Sequence, residues 1–298
     1  MKKRVSRRAF LVRAAGAVVG SALLGDKGVS LAAATRADAG AGTAGGTVAG
    51  TGLEIEWLGH GSFLFTSAQG KRILIDPWIS TNPSCPGKYR KRKSFGSIDL
   101  VLWTHGHVDH FMLPDAKAII SDYNPKVIAP WELSFFIKSE IPEADTQTFT
   151  LGNKGSWASF DGIRIAMVAA DHSSGAQLTG FQGTNKYVGD PVGYIFAFEN
   201  GMVLYHAGDT ALFGDMKDII HDYYKPEVAI LPIGGVFTMG PDEAAHAVAM
   251  IAPKVVIPAH YATFPVLAQS ADGFVDKVRT LHPATRTLVL TPGTPERL

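Results

Sequence analysis

From Leu53 onward, short apolar runs alternate with amphipathic stretches. Segments 53–58, 62–66, 72–75, 98–103, 126–129, 162–168, 192–198, 202–206, 227–231 and 254–258 are rich in Val, Ile, Leu, Phe or Trp. Each ends near Gly, Pro or Asp, which predicts strands. Helical periodicity predicts helices over 114–122, 131–138, 211–221, 241–251 and 271–280. Pro114 and Pro241 stand where a first helical position falls, with Asp115, Asp242 and Glu243 in the first turns. The early strands follow one another as a meander, and the later ones are separated by helices. That order predicts an α/β domain over 53–298, with sheets covered on the outside by helices. Segments 80–97 and 173–191 lack periodicity and are rich in Gly, Pro and Ser, so both read as long loops of functional interest.

The pattern before Leu53 is different. A basic start leads into an apolar run, Ala14–Leu24, followed by small residues. At about 1.5 Å per residue this run spans roughly half of a ~30 Å bilayer core, which argues against a permanent membrane span. Ser6-Arg7-Arg8-Ala9-Phe10-Leu11 resembles the twin-arginine export signal, which is read by export machinery that carries folded proteins. The reading is a signal peptide over 1–39, cut after Ala34 or Ala39, and a Gly/Ala-rich linker over 40–52. An exported protein, periplasmic or extracellular, is the expectation, carried out of the cytoplasm already folded.

Charge sharpens this division. Residues 1–39 hold eight basic and two acidic side chains, a net of +6, so the remainder carries −5 against the chain's +1. A mildly acidic body argues against nucleic acid as a partner, which requires clustered Lys and Arg. With Cys85 the sole cysteine, an intramolecular disulfide and a multi-thiolate zinc cage are both excluded. One basic cluster remains in the body, Lys88-Tyr89-Arg90-Lys91-Arg92-Lys93. It reads either as a solvated loop or as a flap that draws an anionic small-molecule substrate to the site.

The chemistry concentrates after the predicted strand 98–103, in Thr104-His105-Gly106-His107-Val108-Asp109-His110. Alternation in extended chain puts His105 and His107 on one side. A turn ahead of the helix near Pro114 can swing Asp109 and His110 toward the same point. Imidazole and carboxylate suit Zn²⁺ and other borderline divalent ions. Four ligand-type side chains within six positions exceed what one ion uses at that spacing. Two ions, typically about 3.5–4 Å apart, are the economical reading.

His105-x-His107-x-Asp109-His110 resembles the signature of the metallo-β-lactamase superfamily. Asp171-His172-Ser173-Ser174, Tyr205-His206-Ala207-Gly208-Asp209-Thr210 and Pro258-Ala259-His260-Tyr261 match its later segments in order. Trp57-Leu58-Gly59-His60-Gly61, Asp76-Pro77, Leu231-Pro232-Ile233-Gly234, Met239-Gly240-Pro241 and His260–Pro265 are similar to one branch. That branch holds metal-dependent hydrolases related to ascorbate-6-phosphate lactonase. The resemblance implies a four-layer αββα sandwich, two sheets face to face with outer helices. It implies that one metal takes His105, His107 and His172, that the other takes Asp109, His110 and His260, and that Asp209 bridges them. Zinc is the expected metal, with manganese or iron as alternatives. The implied activity is hydrolysis of a lactone, phosphodiester, ester or amide by a hydroxide activated on the two metals, with Asp109 orienting it or holding its proton. Asp76 is a candidate to hydrogen-bond a ligand imidazole and fix its tautomer. His60, His206 and Tyr261 are candidates for supporting or substrate-facing roles. The alternative function is di-iron redox chemistry on the same ligand set, for which no flavin module is visible. His221, His246 and His282 read as surface or packing residues.

Overall fold

Alternating side chains of the first strands divide cleanly between two cores. In the computed structural model, which describes residues 52–91, 93–144, 152–178 and 184–298, strands β1 (Glu54–Trp57), β2 (Phe63–Thr66), β3 (Arg72–Ile75), β4 (Leu100–Leu102) and β5 (Lys126–Ile128) form most of one sheet. Ile55, Trp57, Phe63, Phe65, Ile73, Ile75, Leu100 and Leu102 enter the main core. Their neighbours Leu64, Leu74, Val101 and Val127 point the other way, into a second core with helices α1 (Leu113–Tyr123) and α2 (Trp131–Glu140). Strands buried on both faces read as nearly continuous apolar runs, which is why these segments show little alternation.

The second sheet is built from β6 (Trp157–Phe160), β7 (Ile163–Ala169), β10 (Val192–Ala197), β11 (Val203–His206), β12 (Val228–Pro232), β13 (Val255–Ala259) and β14 (Arg286–Thr287). A ribbon of β8 (Ala176–Gln177) and β9 (Asn185–Lys186) lies between β7 and β10 in the chain, and β15 (Pro295–Arg297) returns to pair with β1. The orders are β15-β1-β2-β3-β4-β5 and β14-β13-β12-β11-β10-β7-β6. Each sheet begins antiparallel and ends parallel: β3–β4–β5 in the first, β11–β12–β13–β14 in the second. Parallel pairs require crossovers, supplied by α1, by α4 (Pro241–Ile251) and by α5 (Asp272–Leu281). The main core holds the inner face of the first sheet, the strands of the second, and residues of α4 and α5. The result is the αββα sandwich.

Several boundaries differ from the sequence reading. The helix expected at 211–221 runs from Met216 to Tyr224 (α3) and is wound with i→i+5 bonds, Lys225 N–H donating to Ile220 O. Its expected start is held out of helix because Ala211 N donates to Asp171 O and Thr210 O accepts from Met239 N. Strand β6 escaped the pattern, although Asp161-Gly162, with φ of 45° and 87°, forms the left-handed turn typical of a tight hairpin. The export signal over 1–39 and residues 40–51 of the linker lie outside the described residues. Among the described residues no helix is long and apolar enough to cross a membrane.

Candidate metal centre

Ligand-type side chains gather where both sheets present strand ends. From the first sheet, His105–His110 follow β4. The chain bends at Thr104, whose carbonyl accepts from Val192 N of the second sheet. It then turns, with His110 N and Phe111 N both donating to His107 O. Gly106 makes this approach feasible, because a Cβ there would overlap Val188 and sit 3.1 Å from Ala176 N. From the second sheet, His172 follows β7, Asp209 follows β11 and His260 follows β13.

Two groups result. In one, His105 Nε2 lies 3.0 Å from His107 Nδ1, and His172 Nε2 lies 3.2 Å from the same Nδ1. In the other, ligand-type atoms of His60, Asp109, His110 and His260 all fall within 4.8 Å of one another. Asp209 stands between the groups. Its Oδ2 is 4.0 Å from His105 Nε2, 3.7 Å from His172 Nε2, 3.2 Å from His110 Nε2 and 3.1 Å from His260 Nε2. His110 Nε2 and His260 Nε2 are nonetheless buried without a hydrogen-bond partner, since the approaches to Asp209 miss hydrogen-bond geometry. Buried polar atoms are rarely left unpaired. Convergent imidazole nitrogens around one carboxylate oxygen are the donor set a divalent cation requires.

The electrostatics agree. Burial and the neighbouring His110 push His105 well below its ordinary value, against the pull of Asp209. Burial likewise lowers His107 and His172. Neutral imidazoles are the form that ligates a metal. Burial alone would raise the carboxyls of Asp109 and Asp209. The His60 hydrogen bond and His110 hold Asp109 below the usual range, and His110 and His260 hold Asp209 well below it. His110 runs the other way: burial disfavours its charge, but Asp209 and Asp76 on either side keep it protonated well above its ordinary value. A cation seated at Nε2 would displace that proton.

Asp76 is fully buried and saturated: Oδ1 accepts from Thr104 N (2.7 Å), while Oδ2 accepts from Thr104 Oγ1 (2.6 Å) and His110 Nδ1 (2.8 Å). It fixes the His110 proton on Nδ1 and aims Nε2 at Asp209. His60 Nε2 lies 3.1 Å from Asp109 Oδ2, and burial together with His260 lowers the ring to about 4. Three of these residues, His60, Asp76 and His260, hold φ between 46° and 58°. Such strain in non-glycine residues collects at functional sites. Gly61 leaves room for the His110 ring, since a Cβ there would overlap Cε1 and lie 2.9 Å from Nδ1.

Other candidates take other places. His206 Nδ1 accepts from Gly208 N, and its ring meets Phe63 edge-on at 5.5 Å. It therefore shapes the turn before Asp209 and does not line the cavity. Tyr261 stacks on Trp57 at 5.0 Å and belongs to the core. Among the described residues of the basic run, none lines the cavity. Tyr89 Oη donates to the buried Glu56 (2.6 Å), Lys88 Nζ lies 2.7 Å from the same carboxylate, and Arg90 donates to the carbonyl of Asn82. A buried acid on β1 needs these partners, so Lys88 and Arg90 are anchors and not a flap. By contrast, the 173–191 segment does contribute to the cavity through Ser173, Gly175, Gln177 and Asn185. Sequence reasoning missed Thr104, Ser174 (whose Oγ accepts from Gly106 N) and the apolar wall at Val236, Phe237 and Val266. The only advance signal for that wall was an apolar pair directly after Gly234-Gly235.

A β-lactamase superfamily domain matches residues 54–260. A UPF0173 metal-dependent hydrolase of Rubrobacter xylanophilus is 38% identical over 242 residues, covering 81% of this chain and 95% of the relative. One of Koribacter versatilis is 41% identical over 216 residues, covering 72% and 87%. A solved metallo hydrolase from the archaeon Ignicoccus hospitalis superposes with a TM-score of 0.68 at 31% identity, covering 83% of this chain and 98% of that one. With its fold, its His/Asp clusters and these relatives in agreement, the chain belongs to the metallo-β-lactamase superfamily and, within it, to the UPF0173 family of metal-dependent hydrolases.

Proposed function

We propose that the hydrolase works with two divalent cations, zinc first among them. His105, His107 and His172 would hold one, Asp109, His110 and His260 the other, and Asp209 both. The observation that carries this reading is Asp209 Oδ2, within 4.0 Å of imidazole nitrogens from each group. Such cations supply Lewis acidity toward a carbonyl or phosphoryl oxygen and lower the pKa of a water to about 7. The chain's own contribution is positional. Asp109 lines the cavity, is ionised, and has Oδ2 beside His60 Nε2, so it would orient the attacking water or hold its proton. Asp76 and Ser173 orient His110 and His107, Ser173 Oγ lying 3.3 Å from His107 Nε2. The bond cut is a lactone, phosphodiester, ester or amide. The names of the relatives favour hydrolysis over di-iron redox chemistry on the same donors. Metal analysis together with a screen of lactones, esters, phosphodiesters and β-lactams tests the reading. Two zinc ions per chain and activity abolished by Asp109→Ala are expected. A single ion, iron with visible absorption, or retained activity in the variant would refute it.

Export in the folded state is part of the proposal, resting on Ser6–Leu11 and on the advantage of loading metal in the cytoplasm. Replacing Arg7 and Arg8 by Lys should leave the precursor inside the cell; unchanged export would rule this out.

A further inference from the structure

The cavity in front of Asp209 and His260 has a volume of about 760 Å³, within the range of small-molecule sites. Its walls differ. One side is polar, with Ser173, Gln177 and Asn185; the other is apolar, with Val236, Phe237, Phe264, Pro265 and Val266. Among the described residues no lysine or arginine lines it, and the carboxylates are those of Asp109 and Asp209.

Folding does not account for the apolar side. Val236 is 73% exposed, Phe237 55% and Val266 60%, so none of them contributes much to a core. Val236 also has φ of 59°, in the region least tolerant of a β-branched residue. That conformation is imposed: Gly235 N donates to Met239 O (3.0 Å), Phe237 N to Gly235 O (2.6 Å), and Met239 N to the carbonyl of Thr210, next to Asp209. The turn is thus tied to the metal centre and pushes two apolar side chains into the open beside it. Phe264, on the same apolar side, stacks on the buried Trp78 at 5.8 Å. Strained backbone holding exposed apolar groups at the mouth of a site points to a ligand that covers them.

We propose that this rim receives an uncharged aliphatic or aromatic group attached beside the bond that is cut. The substrate class is then a neutral, lipophilic ester, lactone or amide. The inference rests on the hydrolytic reading above and extends it to the substrate. The rim continues into a cavity that ends at the ligand cluster, which favours a small molecule over a flat partner surface.

The test uses the zinc-loaded protein with p-nitrophenyl esters from acetate to octanoate, and with esters of equal length ending in a carboxylate. kcat/KM should rise two- to fourfold per added methylene, fourfold being the conversion of about 0.8 kcal/mol per fully buried CH₂. The terminal carboxylate should cancel the rise. In the double variant Phe237→Ser, Val266→Ser the octanoate-to-acetate ratio should fall at least tenfold. A binding readout runs in parallel, with 1-hexanol to 1-decanol displacing the neutral dye N-phenyl-1-naphthylamine from metal-loaded and metal-free protein. A chain-length dependence of affinity that the double variant flattens supports the rim. No dependence in the native protein, or an equal one in the variant, overturns the proposal. Length-dependent alcohol binding without turnover of any ester, lactone, amide or phosphodiester would leave the rim standing and refute the hydrolytic reading instead.

Discussion

Asp76→Asn isolates the contribution of a buried carboxylate to the metal centre. The amide has nearly the same shape and keeps an oxygen for Thr104 N. Its NH₂ can donate to Thr104 Oγ1, but it cannot accept from His110 Nδ1, which lies 2.8 Å away in the native protein. A charge-assisted hydrogen bond contributes about 1.5–3 kcal/mol, and the donor left facing a donor adds to the loss. We expect the metal-free variant to lose about 2–4 kcal/mol. For a folded body of this size that lowers Tm by roughly 5–15 °C. The second effect is chemical. With a donor at position 76, His110 moves its proton to Nε2, the atom that faces Asp209. Zinc affinity should fall about 10–100-fold, the usual consequence of losing a hydrogen bond that orients a ligand. Competition against a chromogenic chelator measures the affinity, and calorimetry with and without EDTA measures the stability. EDTA should lower Tm more in the native protein than in the variant, because stabilisation by a bound ion follows its affinity. Native-like zinc affinity in Asp76→Asn would refute the assignment of His110 as a ligand fixed by Asp76.

Three further outcomes follow from particular contacts. Gly61→Ala drives a methyl group into the His110 ring, so zinc affinity should fall at least tenfold by the same titration, with a destabilisation of about 1–3 kcal/mol from overpacking. Val236→Gly relieves a left-handed β-branched residue, worth about 1–2 kcal/mol, against about 0.5–1 kcal/mol of added chain entropy; a Tm rise of roughly 1–3 °C is expected, and a fall would show that the turn is not strained. Glu199 is pushed up by burial, but hydrogen bonds from Ser67 Oγ and Gln69 N hold its carboxyl below the ordinary value. A depressed carboxyl stabilises the fold above its unfolded-state pKa and loses that effect as pH falls through the folded-state value. The Tm difference between native protein and Ser67→Ala should therefore be largest near neutrality and shrink in acid.

The cluster His105–His110 was legible because four ligand-type side chains stand within six positions just past a strand end, with no distant segment required. His172, Asp209 and His260 were legible only through the order of their motifs, since nothing local in the sequence says that three strand ends meet. What failed has a common cause: apolar periodicity records burial, but not what does the covering. Phe237 and Val266 fall in no predicted element and stand exposed at the rim. Lys88 and Arg90 look like a free basic surface, while an acid and carbonyls hidden under the loop hold them in place. Tyr261, a candidate for a supporting or substrate-facing role, is a stacking partner of Trp57. The helix expected from 211 is delayed to Met216 by bonds to the metal-site loops, a tertiary override of a sound local pattern.

The position of the centre at the seam between the sheets has a kinetic consequence. His105–His110 come from one half of the sandwich, His172, Asp209 and His260 from the other, and few hydrogen bonds cross beside them, among them Tyr194 Oη to Trp103 O and Val192 N to Thr104 O. Candidate ligands separated by up to about 150 positions in the chain converge only after both halves have docked, so an ion held by both halves would find its full set late. Interactions absent from the folding transition state retard unfolding and leave the folding rate nearly untouched. In this protein a bound metal would act as a latch on a finished sandwich, setting its lifetime more than its speed of formation.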